Sequence, residues 1–83
     1  MTREMFIDLA LVNDISFSYE GKEYFIFQDN NFCTCGEYGN DKTDVSFNKY
    51  PDVYRNIEDM LDNWGINGVP LGDLIGKIEF FGN

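Results

Sequence analysis

The sequence contains no histidine, and its six Lys and Arg residues are outnumbered by fifteen Asp and Glu. Histidine is the commonest general base and a frequent metal ligand, so its absence removes the usual equipment of hydrolases and zinc enzymes. No Ser-His or Cys-His pair, phosphate-binding loop or glycine-rich dinucleotide motif can be written along the chain. The sequence therefore predicts a protein that is not an enzyme and that uses no cofactor.

Cysteine is also scarce: Cys33 and Cys35 are the only two, and they stand one residue apart. On a strand, such side chains point in parallel to the same face, which is poor geometry for a disulfide. A closed zinc site needs four ligands, and no second pair completes one. We expect two unreactive thiols that pack inward or lie at a sheet edge, and no metal site.

Long hydrophobic runs are missing as well. Nothing approaches the ~18 apolar residues of a membrane span, and Glu4 and Asp8 interrupt the short apolar start. The sequence thus predicts no signal peptide, no membrane contact and a reducing, cytoplasmic compartment. Chains divide into several cores only well above 83 residues, so residues 1–83 are expected to form a single domain.

The charge that is present is strongly negative, with a net charge of −9 and a pI near 4.1. A field of this sign repels phosphate backbones, which disfavours direct binding of nucleic acid. It attracts basic surfaces, including those that normally hold nucleic acid. The charge balance therefore predicts a protein partner with a basic surface.

The first half of the chain carries the pattern of β-strands. Ile15, Phe17 and Tyr19 alternate with polar residues, as in a half-buried strand. The run 24–27 is apolar on both faces, and turn residues separate it from its neighbours on either side. We predict a three-stranded antiparallel meander over residues 15–36. The following segment, residues 37–44, is rich in Gly, Asn and Asp, and this composition predicts a long loop.

The second half contains one clear amphipathic helix, predicted over residues 51–64. Pro51 suits the first helical position and Gly65 the stop after the last turn. The apolar side chains recur at helical spacing and form one stripe: Val53, Tyr54, Ile57, Met60, Leu61 and Trp64. This stripe is expected to pack on the sheet, which gives an α+β fold.

The sequence patterns of three segments near the chain ends are less specific for one secondary structure. Residues 4–12 fit either a helix capped by Thr2 or a strand. Residues 71–75 predict one short helical turn, and residues 78–81 return either as a short strand or as a docked tail. These segments complete the predicted single domain.

The candidate binding residues are carboxylates. Glu58, Asp59 and Asp62 lie opposite the apolar stripe of the predicted helix, where they present a row of negative charge. Glu37, Asp41 and Asp44 belong to the predicted loop, and their spacing departs from that of a calcium-binding loop. We predict that these six residues contact a basic protein partner.

Aromatic residues, at 17% of the chain, offer a second candidate surface. In a sheet covered by helix on one side only, Phe25 and Phe27 lie opposite Tyr24 and Ile26. One of these pairs is therefore exposed unless the N-terminal segment or a partner covers it. The interface is expected either at the acidic helix face or at this aromatic sheet face.

Short, acidic and rich in Asn, Asp, Phe and Tyr, the whole chain resembles in composition the small proteins of phages and mobile elements, of which anti-CRISPR inhibitors are one group. The resemblance implies an inhibitor or modulator that occupies a basic, nucleic-acid-binding surface of a host protein such as a CRISPR effector. Its carboxylates would take the place of phosphates. The alternative is a small structural or assembly domain that acts as a homodimer through an exposed sheet face or edge.

Overall fold

A sheet of five antiparallel strands carries two α-helices in this computed structural model, which describes residues 1–81. The α+β class predicted from the sequence is confirmed. The main elements are α1 (Arg3–Val12), β1 (Ile15–Tyr19), β2 (Lys22–Asp29), β3 (Phe32–Glu37), β4 (Asn40–Phe47) and α2 (Val53–Asn63). They are followed by β5 (Gly65–Ile66), β6 (Val69–Pro70), a 3₁₀ helix (Leu71–Asp73) and β7 (Glu79–Phe80). The strand order in the main sheet is β4-β3-β2-β1-β7.

The sheet contains two strands beyond the predicted three-stranded meander, and one of them, β7, is the short strand that the sequence allows as an alternative for residues 78–81. On one side, β7 pairs with β1 through Phe17 and Phe80. On the other, β4 covers residues 40–47, so the prediction of a loop over residues 37–44 is wrong. A bulge between Cys35 and Glu37 interrupts its pairing with β3. Because β4 is an edge strand and almost wholly exposed, it needs no apolar alternation, and its turn-forming residues did not indicate a strand.

Helix α2 begins two residues later than predicted. The carboxylate of Asp52 accepts a hydrogen bond from the Tyr54 N–H at 2.9 Å, so Asp52 is the N-cap. The prediction that Pro51 is the first helical residue is therefore wrong, because Pro51 precedes the cap. At the other end of the helix, the N–H of Trp64 still donates to Met60 O, and Gly65 lies outside.

Residues 4–12, for which both helix and strand remained open, lie in helix α1. The hydroxyl of Thr2 accepts a hydrogen bond from the Met5 N–H at 3.1 Å and caps the helix. Neither α1 nor α2, the two α-helices of the described residues, is long and apolar enough to cross a membrane.

Both α-helices cover the same face of the sheet. One continuous core joins α1, α2 and the inward side chains of the strands. Phe17 lies at its centre, with its ring centroid 5.3 Å from that of Tyr24 and 6.1 Å from that of Trp64. The buried side chains at the centre of this core are Phe6, Ile7, Phe17, Ile26, Ile57, Met60, Leu61, Leu71 and Leu74. The opposite face of the sheet, here called the outer face, has no helix over it.

Candidate protein-binding surface

The outer face of the sheet carries a cluster of aromatic rings. Phe25 is the central member: its ring centroid lies 4.6 Å from that of Phe27 and 5.3 Å from that of Tyr38. Phe25 is 9% exposed, whereas Phe27 is 42% and Tyr38 is 44% exposed. Tyr24 and Ile26 point the other way, into the core. Of the two pairs considered from the sequence, the Phe25 side is thus the uncovered one, because α1 packs on the inner face.

A glycine gives the cluster its shape. Gly36 pairs with Phe25 across β2 and β3, next to the bulge in β4. A Cβ atom at Gly36 would lie 3.2 Å from Phe25 Cζ, 2.6 Å from Asp44 Oδ1 and 3.2 Å from Asp44 Cα. Real Cβ atoms do not approach other atoms as closely as 2.6 Å, so a larger residue at this position would displace the Asp44 carboxylate and crowd the Asp44 backbone and the Phe25 ring. The missing side chain allows the ring of Phe25 and the carboxylate of Asp44 to converge over this point.

Tyr38 is held in place from two sides. Its hydroxyl shares a hydrogen bond of 2.7 Å with the hydroxyl of Ser16. Its backbone N–H donates to the carbonyl oxygen of Glu23 at 2.9 Å. The neighbouring Gly39 has φ +81°, which lets the chain turn tightly into β4. These hydrogen bonds, one from the side chain and one from the backbone, hold the exposed ring of Tyr38 in one position on the sheet.

The register-paired charges on the outer face are negative. Side chains alternate between the two faces of a strand, which places Glu23, Asp29 and Glu79 on the same side as Phe25. Asp44 joins them through its position above Gly36. Among the register-paired positions that point outward in the described strands, none is Lys or Arg, and Lys42 lies in the bulged part of β4, outside the paired positions. The paired charges around the exposed rings are therefore acidic.

The three helix carboxylates predicted as a binding row share one depression of about 290 Å³ on α2. Asp62 forms an ion pair with Arg3 at 3.0 Å, and Asp59 accepts a hydrogen bond from the Asn63 side chain at 2.6 Å. Glu58 and Asp59 are half-buried rather than fully solvated.

Basic groups line the same depression. Arg55 lies 4.2 Å and Lys49 5.5 Å from the ring centroid of Tyr50. With Arg3, they place half of the chain's six basic residues around the helix carboxylates. This helix surface is consequently less uniformly negative than the sequence suggests.

The other three predicted carboxylates lie on the β3–β4 hairpin. Glu37 forms an ion pair with Lys22 at 3.4 Å. Asp41 is exposed within the bulged part of β4, and Asp44 stands beside the aromatic cluster. None of the three lines the depression on α2. Of these three, Asp44 stands at the outer face with the exposed aromatic rings, whereas Glu37 pairs with Tyr24 on the other side of the sheet and lines a depression with Lys22.

Sequence reasoning missed a buried polar residue that supports the helix. Asn56 is 0% exposed, and its side-chain oxygen accepts a hydrogen bond of 2.8 Å from the Tyr50 N–H. Its amide donates to the carbonyl oxygens of Asn31 at 2.6 Å and Tyr50 at 2.8 Å. The side chain thereby joins the turn after β2 and the segment before α2. Its position next to Ile57, on the inward half of the helix, was the only signal in the sequence.

The structure offers little that could perform covalent or metal chemistry. Both thiols are buried on the inner face of β3 and are free. Burial raises the pKa of Cys33 to about 11 and raises that of Cys35 further, so neither thiol ionises near neutral pH. Within residues 1–81, no three His, Cys, Asp or Glu side chains are grouped to hold a metal ion.

No protein-family model, no curated protein and no solved structure matches the chain. The functional argument rests on the geometry of the two surfaces.

Proposed function

We propose that this chain is a non-catalytic protein-binding domain that inhibits or modulates a partner by covering a basic surface. The single observation that carries the proposal is the outer sheet face, where Phe27 and Tyr38 are exposed and the register-paired charges are acidic. Aromatic anchors within a charged surround are typical of protein interfaces. The negative net charge of −9 favours a basic partner and speeds encounter with it.

The expected partner surface is one that otherwise holds nucleic acid. Such a surface is already built to receive negative charge, so carboxylates such as those of Glu23 and Asp44 can take the place of phosphates. An inhibitor of this type would compete with the nucleic acid rather than bind it. A CRISPR effector, as implied by the compositional resemblance, is one protein that presents a surface of this kind.

The outer sheet face is a better candidate than the helix face. Two of the three helix carboxylates already have partners within the chain, because Asp62 pairs with Arg3 and Asp59 accepts from Asn63. Arg55 and Lys49 stand next to them. A basic partner docking there would meet positive charge as well as negative charge.

The test compares two variants of the full chain in capture experiments from a lysate of the source organism. The sheet-face variant combines Phe27→Ser and Tyr38→Ser, and it keeps the net charge of the wild type. The helix-face variant combines Glu58→Gln, Asp59→Asn and Asp62→Asn. Urea unfolding, followed by the fluorescence of the single Trp64, first verifies that both variants are folded.

The proposal expects that the wild type and the helix-face variant capture the same basic protein and that the sheet-face variant does not. The purified partner is then mixed with labelled nucleic acid, which the wild-type chain should displace in a fluorescence anisotropy assay. Equal capture by the two variants, or loss with the helix-face variant alone, would contradict the proposed surface. Binding without displacement would contradict the proposed competition.

The second candidate is a homodimeric assembly domain, and strand β4 is the observation that favours it. β4 is an eight-residue edge strand that is almost wholly exposed, and such an edge can pair with another chain. Its bulge, Asp41 and Lys42 are features that natural sheets use against edge pairing. Light scattering after size exclusion distinguishes the two functions: a concentration-independent dimer supports assembly, and a monomer supports the inhibitor.

A further inference from the structure

We propose that the group recognised by the outer sheet face is an arginine side chain of the partner, an inference that rests on the proposed function and names its chemistry. The residues concerned form what we call the notch: Phe25, Tyr38 and Asp44, arranged around Gly36. The buried ring of Phe25 forms the floor of the notch, the exposed ring of Tyr38 forms its aromatic wall, and Asp44 supplies a carboxylate.

The geometry of the notch follows from Gly36. The carboxylate oxygen of Asp44 and the ring atom Phe25 Cζ lie 2.6 Å and 3.2 Å from the same point, where a larger residue would have its Cβ. The Tyr38 ring is 5.3 Å from Phe25, and its hydroxyl is tied to Ser16. A flat cation that stacks on the Tyr38 ring therefore comes within reach of the Asp44 carboxylate.

The carboxylate of Asp44 is available for such a cation. The two ion pairs within residues 1–81 use other carboxylates, those of Glu37 and Asp62. Asp44 is exposed, and the register-paired charges that share its sheet face, such as Glu23 and Glu79, are also negative. Lys42, the nearest basic residue along β4, forms no ion pair with it.

Arginine fits the notch better than lysine. A guanidinium is planar and weakly hydrated, stacks on aromatic rings and donates a fork of N–H groups to a carboxylate. An ammonium is a strongly hydrated point charge, so it gains less from stacking and from a single carboxylate.

The test uses two fluorescent nonapeptides of equal charge, one of arginine and one of lysine, titrated against the full chain at two salt concentrations. Anisotropy gives the affinity, and amide chemical shifts locate the contact. We expect the arginine peptide to bind at least about fivefold more tightly than the lysine peptide. The shifts should be largest for Phe25, Gly36, Tyr38 and Asp44.

Four variants separate the notch from general attraction. Tyr38→Leu removes the aromatic wall and Asp44→Asn removes the carboxylate, so each should bring the arginine-to-lysine ratio close to one. Tyr38→Phe keeps the ring and should retain the ratio. Asp8→Asn is the matched charge control, because Asp8 is exposed on α1, on the other side of the sheet. It should lower both affinities slightly and leave their ratio unchanged.

The outcomes distinguish the two levels of the argument. If both peptides bind the sheet face with equal affinity, the arginine inference is overturned and the proposed binding surface stands. If the shifts stay on the sheet face but Asp44→Asn acts no differently from Asp8→Asn, the notch alone is overturned. If the shifts lie away from the sheet face, both the notch and the proposed surface are overturned.

Discussion

Replacing Asn56 with alanine removes a polar side chain that joins three parts of the chain inside the core. Three hydrogen bonds are lost, namely those to the Tyr50 N–H and to the carbonyl oxygens of Tyr50 and Asn31. Each such bond contributes roughly 1 kcal/mol, and a buried group left without a partner costs about 1–3 kcal/mol. Alanine returns roughly 0.5 kcal/mol through its higher helix propensity.

These terms together predict a loss of about 2.5–5.5 kcal/mol in the free energy of unfolding, the upper end applying if a partner group is left buried and unpaired. That loss is large for a domain of this length, whose total stability is about 4–12 kcal/mol at roughly 0.05–0.15 kcal/mol per residue. Urea titration with Trp64 fluorescence measures it directly, because Trp64 is the single tryptophan and is buried.

Asn63→Ala is the matched control for this experiment. Asn63 is on the same helix but is exposed, and its one side-chain bond goes to Asp59. Its replacement should change the stability by less than about 0.5 kcal/mol. If Asn56→Ala costs no more than Asn63→Ala, the reasoning about the buried amide is refuted.

Three further predictions concern packing and titration. Leu61→Ala should cost about 2–5 kcal/mol in urea unfolding, because Leu61 is fully buried under the sheet, and a loss under 1 kcal/mol would contradict that packing. Gly36→Ala should lower stability by about 1–3 kcal/mol and shift the amide resonances of Phe25 and Asp44, whereas Gly76→Ala, where a Cβ meets nothing, should not. The folded-state pKa of Cys33, about 11, is above its ordinary value, so the stability that the neutral thiol contributes is present below pH 9 and is lost as pH rises towards 11. Cys33→Ala should flatten that decline, and an identical pH profile for the variant would count against the burial effect.

The elements with strong periodicity could be read from the sequence. The apolar stripe of α2 recurs at helical spacing, and β1 alternates cleanly, so each identified its own inward face. The end of α2 was also signalled, since the predicted last residue, Trp64, is its C-cap, although Gly65 does not have the positive φ of a glycine stop. These are local patterns, which one segment displays without reference to the others.

The features that the sequence did not reveal depend on distant partners. Strand β4 exists because β3 pairs with it, while its own composition indicates a loop. Arg3 meets Asp62 only after α1 packs beside α2, and this contact partly neutralises the predicted helix row. The role of Gly36 likewise appears only when Phe25 and Asp44 are brought to it by neighbouring strands.

The central claim is that the partner binds the outer sheet face, and its most direct test is the affinity of the captured partner for the two surface variants. We expect the partner to bind the Phe27→Ser, Tyr38→Ser variant at least about tenfold more weakly than the wild type, although the net charge is unchanged. A loss of this size is typical when aromatic anchors of an interface are removed. The Glu58→Gln, Asp59→Asn, Asp62→Asn variant should stay within about threefold of the wild type, mainly through slower association. The claim would be contradicted if the partner bound the sheet-face variant as tightly as the wild type and bound the helix-face variant much more weakly.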